Sequence, residues 1–103
     1  MNASTLTPDQ RERHRTMMLS PYKWPNVYLP LKRRDKSGTG WQVALLRSAI
    51  SEKNYNRAVE QGTPLNFVVD VNMSMFGIAF DGEVERVTFA TPDEILDAGW
   101  IVD

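Results

Sequence analysis

The alternation of apolar and polar side chains is clearest over residues 64–90. Leu65, Phe67, Val69 and Val71 alternate with Asn66, Val68, Asp70 and Asn72, the two-residue period of a strand with one buried face. Two more β-rich runs, 76–80 and 83–89, flank Asp81-Gly82, a pair that tolerates the positive φ of a tight hairpin turn. The pattern predicts a three-stranded antiparallel meander over 65–89. A two-residue turn would set Phe80 opposite Glu83, whereas a three-residue turn with a bulge pairs Phe80 with Val84 and uses the buried face better. Such a sheet is marginal alone and needs a cover.

Upstream, residues 27–31 read as a strand with Val27, Leu29 and Leu31 on one face, and Pro30 predicts an edge position because it cannot donate to a ladder. The polar, glycine-containing stretch 32–40 reads as a loop. Residues 41–50 fit two templates. As a strand, Trp41, Val43 and Leu45 share a face and pair back with 27–31; as a helix, Val43, Leu46 and Ile50 recur at helical spacing behind a Thr39/Gln42 capping box. The strand is favoured by the Trp-Gln-Val opening. Residues 51–61 are helical on either reading, with Ser51 as cap, Tyr55, Ala58 and Val59 on one face and Gly62 as the left-handed stop.

Two Thr-Pro-acid signatures mark further helix starts, at Thr7-Pro8-Asp9 and Thr91-Pro92-Asp93. The second should run to Ala98 and close at Gly99, with Trp100, Ile101 and Val102 packing down after it. The first has no large apolar side chain between Asp9 and Thr16. A helix polar all round has little to hold it, so helix 8–19 is expected to project from the domain or fray. Met17, Met18 and Leu19 are its first docking side chains, and Tyr22, Lys23, Trp24 and Pro25 follow as an aromatic anchor. The fold expected is α+β: one small domain over 1–103, with 1–26 as a polar arm and anchor and 27–103 as the core. It has an antiparallel sheet of four to five strands covered by two to three short helices.

Composition narrows the chemistry. At 103 residues there is room for one core. No apolar run is long enough to span a membrane, and the start of the chain lacks the apolar core of a secretory signal. With no cysteine there are no disulfides, thiolate nucleophiles or Cys-based metal sites, which fits a reducing, cytoplasmic setting. His14 is the only histidine, with no ligand cluster around it; it reads as a surface residue without a role. No metal and no cofactor is implied. Lys36-Ser37-Gly38-Thr39-Gly40 is not in the order of a phosphate loop, and Gly38 and Gly40 read as turn residues.

Charge is polarised behind a net of −1. Eleven basic against four acidic side chains precede Ala58, and one against nine follow it. The basic half interleaves cations with rings: Arg11, Arg13, Arg15, Tyr22, Trp24, Tyr28, Lys32, Arg33, Arg34 and Lys36. Such a set suits a protein interface, where Arg, Tyr and Trp are enriched, and also a nucleic-acid surface, where cations meet phosphates and rings stack on bases. A competing account puts Trp24, Tyr28 and Trp41 in or half in the core. The acidic half offers Asp81, Glu83, Glu85, Asp93 and Glu94 as an alternative surface. Asp81, Glu83 and Glu85 could in principle do acid–base work, but charged hairpin tips also discourage edge pairing. The leading expectation is a non-enzymatic binding protein, a small regulator or inhibitor of the kind phages and mobile elements encode, acting on another protein. A nucleic-acid-binding module is the alternative, and a carboxylate-based enzyme ranks third. Neither a membrane partner nor an oligomeric state is indicated.

Overall fold

A computed structural model describes residues 6–25, 27–34, 37–73 and 84–103. Among the described residues, five strands form one antiparallel sheet, and three α-helices lie across one of its faces. In chain order the elements are α1 (Pro8–Met18), β1 (Leu29–Arg34), β2 (Trp41–Leu46), α2 (Glu52–Gln61), β3 (Phe67–Val71), β4 (Glu85–Phe89), α3 (Pro92–Asp97) and β5 (Ile101–Val102). The strand order is β4-β3-β2-β1-β5. The first four strands neighbour one another in sequence, and the chain then crosses the sheet through α3 to add β5 beside β1. The α+β class and the antiparallel sheet agree with the sequence pattern.

Register decides which side chains meet the helices. Leu29 pairs with Leu46, Leu31 with Ala44, Leu46 with Val69, Val69 with Val87 and Phe67 with Phe89. Paired residues share a face, so these form the inner side of the sheet. Met18, Leu19, Trp24, Tyr55, Ile95, Leu96 and Trp100 close over it. Each fully buried Leu, Ile or Met contributes about 1.5–3 kcal/mol relative to exposure.

The local signals at the helix ends operate as written in the sequence. Thr7 Oγ1 accepts from the Gln10 amide at 3.2 Å while Gln10 Oε1 accepts from the Thr7 amide at 3.0 Å, a complete capping box. Ser51 and Thr91 cap α2 and α3 through the hydroxyl alone, accepting from the Asn54 amide at 3.3 Å and the Glu94 amide at 3.1 Å. Gly62 stops α2 at φ 69°, and Gly99 follows α3 at φ 95°. The strand reading of 41–50 holds over Trp41–Leu46.

Several expectations are corrected. β1 runs from Leu29 to Arg34, starting two residues later and ending three residues later than the pattern indicated. Its last three residues are therefore strand, not loop, and Val27 is exposed. β1 is also not an edge, because β5 pairs beside it; at Pro30 only the carbonyl takes part, accepting from the Asp103 amide at 3.0 Å. β3 and β4 pair directly and antiparallel, whereas the outer strands of a three-stranded meander would run parallel with one strand between them. The expected middle strand 76–80, the Asp81-Gly82 turn and the hairpin register lie outside the described residues. Val59 stays exposed while Tyr55 and Ala58 are buried.

Helix α1 does not project. Its body is held by polar contacts that a hydrophobic pattern does not register: Arg11 Nη2 meets Asp97 Oδ1 at 2.8 Å and the Asp93 carbonyl at 3.2 Å, and Arg15 Nε lies 3.8 Å from Asp93 Oδ2. Its C-terminal end is fixed by burial of Met18 and Leu19. Trp24 Nε1 donates to the Met17 carbonyl at 2.7 Å, which also accepts from the Ser20 amide at 3.1 Å, so the indole ties the helix end down.

Candidate docking surface

Strand alternation sorts the basic and aromatic set, because successive side chains point to opposite faces. Arg33 faces inward. Its guanidinium carbon lies 4.2 Å from the centre of the fully buried Trp100 ring, Nε donates to Gln42 Oε1 at 2.8 Å and Nη1 donates to the Ala98 carbonyl at 3.3 Å. Burial lowers its affinity for the proton and the nearby Glu85 carboxylate raises it again. Arg33 thus closes the polar end of the core. Lys32 and Arg34 point outward, and both lie over the exposed Trp41: Arg34 at 4.1 Å and Lys32 at 4.7 Å from the ring centre. Trp41 retains 48% of its accessible surface.

The same outer face carries a second cationic centre. Asp70, opposite Leu45 on one side and Arg86 on the other, has a side chain only 6% exposed. Its Oδ1 accepts from Arg86 Nε at 3.0 Å and its Oδ2 lies 3.4 Å from Arg47 Nε. Arg47 also reaches over the Tyr28 ring, 5.9 Å from its centre. Among the described residues, Asp103 is a second anion on this side, 3.5 Å from Lys32 Nζ.

The remaining candidates separate. Arg11 and Arg15 are engaged by α3 through Asp93 and Asp97, and Arg13 is exposed beside them. Trp24 is core, while Tyr22 is exposed with Lys23 5.8 Å from its ring centre. Glu94 is exposed on α3, and Glu85 lies opposite Val71 at the polar end of the inner face. Lys36, Asp81 and Glu83 lie outside the described residues. The sequence reading therefore mixed three environments: α1 arginines paired with α3, an inward Arg33, and an outward Lys32/Arg34 pair. It left Trp41 out of the candidate set, a competing account placing that ring in or half in the core, and passed over Arg47, Asp70 and Arg86. Alternation from Trp41 through Val43 and Leu45 to Arg47 was the signal that could have found the second centre.

His14 is a docking contact of the fold. Its Nδ1 accepts from the Val102 amide at 3.0 Å, so the ring proton resides on Nε2. Burial, reinforced by the charge of Lys32, lowers the pKa of His14 below its ordinary value. This replaces the expectation of a surface histidine without a role.

Among the described residues, no group of three or more His, Asp or Glu side chains is arranged to hold a metal, and no helix is long and apolar enough to cross a membrane. No family model matches this chain, and neither a curated protein nor a solved structure matches it.

Proposed function

We propose that this chain is a non-enzymatic binding protein, a small regulator or inhibitor that docks another protein through the outer face of its sheet. The observation carrying the reading is Trp41, half exposed beneath Arg34 and Lys32 on the side away from all three helices. A large ring held by two cations loses little conformational freedom on binding. Trp, Tyr and Arg are also the side chains most enriched among residues that dominate interface energetics. Cation–ring contacts of this kind contribute about 0.5–2 kcal/mol, more as water is excluded.

The charge arrangement favours protein over nucleic acid. Arg11 and Arg15, which a phosphate-binding arm would need, are committed to α3 carboxylates. Asp70 and Asp103 stand among the outer cations, where they would repel a continuous run of phosphates. The cysteine-free composition makes a reducing, cytosolic compartment the place to seek the partner.

A photo-cross-linking amino acid at position 41, introduced in cells, tests the reading against one at exposed position 57. Position 41 should yield a discrete protein adduct that position 57 does not. Arg34→Glu, with an unchanged melting curve, should remove that adduct. Cross-linking to nucleic acid, or the same adducts from both positions, overturns the proposal.

A further inference from the structure

We infer that His14 is an acid-operated latch: protonating it releases β5 and opens the rim of β1, while the rest of the sheet stays folded. Successive amides along a strand point to opposite sides. The Asp103 amide, just past the end of β5, donates to the Pro30 carbonyl of β1 at 3.0 Å. The Val102 amide points the other way and donates to His14 Nδ1, also at 3.0 Å. The ring carried by α1 therefore sits where a further strand would pair.

Acceptance by Nδ1 requires the neutral ring. An imidazolium donates from both nitrogens, so protonation sets one N–H against another and leaves the Val102 amide without its partner. Burial and the charge of Lys32 on β1 already work against the cation. Helix α1 packs on α3 and β5, and the described carboxylates on those sides are engaged by other cations. On α3, Asp97 lies 2.8 Å from Arg11, and Asp93 lies 3.7 Å from Arg11 and 3.8 Å from Arg15. Past β5, Asp103 lies 3.5 Å from Lys32. On α1 itself Glu12 lies 3.7 Å from Arg15 and Arg13 is exposed, while Lys23, in the turn after the helix, lies against Tyr22. A protonated His14 would have to share a carboxylate with one of these cations.

The element that gives way is β5. It pairs with only Leu31 and Lys32 of β1, and both of its side chains are half buried. The fully buried Trp100 just before it pins the chain to the core, so release stops there. Helix α1 is held more firmly, by Met18 and Leu19 in the core and by Arg11 on α3. Once β5 leaves, the backbone rim of β1 beside Lys32 is open to pairing, and Asp103 no longer offsets Lys32. The released form takes up its proton near the ordinary histidine value of 6.5, which the latched form resists. Lowering the pH from about 7.5 to about 5 therefore raises the released fraction by up to about thirtyfold.

Amide hydrogen exchange followed by NMR, corrected at each pH for the intrinsic rate, tests the latch. The Val102 and Asp103 amides should lose protection together, by about tenfold or more over that range. The Arg47 and Asn72 amides, which donate between β2 and β3 to the Val68 and Val43 carbonyls, should keep theirs. His14→Gln, with a melting curve like the wild type at neutral pH, should hold Val102 and Asp103 protected throughout. Loss at Val102 alone, as a ring swinging aside would give, overturns the inference. So does equal loss at all four amides, no loss at any, or the same pH dependence in the His14→Gln protein.

Discussion

Single side chains here change meaning with the face they occupy. Arg33 and Arg34 are neighbours in sequence, yet one closes the core over Trp100 and the other covers Trp41 on the outside. Composition placed both in one basic cluster; two-residue alternation carried three residues further along β1 would have parted them. His14 is a similar case. A lone histidine in a polar run gives no sign of its partner, because that partner is a backbone amide in β5, far along the chain. Its lowered pKa makes stability depend on pH with a definite sign. The unfolded chain takes up the proton near the ordinary value of 6.5 and the folded chain only below it. Stability is therefore fully present above that value, falls as pH drops through it, and levels off below the folded pKa. Urea melts between about pH 7.5 and 5 should show this decline. His14→Gln, whose side-chain oxygen can accept the same amide without titrating, should flatten it; a slope unchanged by the substitution would contradict the assignment.

At the scale of elements, the helix boundaries were the most legible part of the sequence. Thr7, Ser51 and Thr91 all cap as expected, since an N-cap is decided by residues within one turn. Strand ends were less legible because pairing partners set them. β1 extends to Arg34 because Trp41 and Gln42 lie opposite Arg34 and Arg33, and no feature of 32–34 alone says so. The termination of α2 offers a clean measurement. A Cβ on Gly62 would meet nothing within 4 Å, so the cost of Gly62→Ala is backbone conformation alone. It should destabilise by about 1 kcal/mol, and Gly62→Asn by less. A neutral or stabilising alanine would show that the left-handed stop carries no energy.

For the whole molecule, the sequence conveyed the layer arrangement but not how firmly the first helix belongs to it. Hydrophobic periodicity measures only one way of holding a helix. α1 is held instead by a charge-paired flank against α3, with an apolar anchor centred on the buried Met18 and Leu19 and joined by the partly buried Leu6 and Met17. Exposed ion pairs contribute about 0–1 kcal/mol each, so the anchor and the Trp24 hydrogen bond to the Met17 carbonyl decide whether α1 unfolds with the rest. All three belong to the common core. Urea unfolding followed by far-ultraviolet circular dichroism and by tryptophan emission should therefore give coincident curves. An early dichroism step amounting to one helix, before any change in emission, would mean that α1 detaches independently.

The crossover that sets β5 against β1 carries a consequence for biosynthesis. The first four strands can assemble as each is translated, but the outer rim of β1 acquires its hydrogen-bonding partner only when Ile101 and Val102 have left the ribosome. Until then a nascent chain presents the backbone of Leu31 and Lys32 to any neighbouring strand, the kind of open template that invites misassociation. Completion of the sheet is thus a late, long-range event, and the amides protected by that pairing should be among the last to resist exchange as the chain folds.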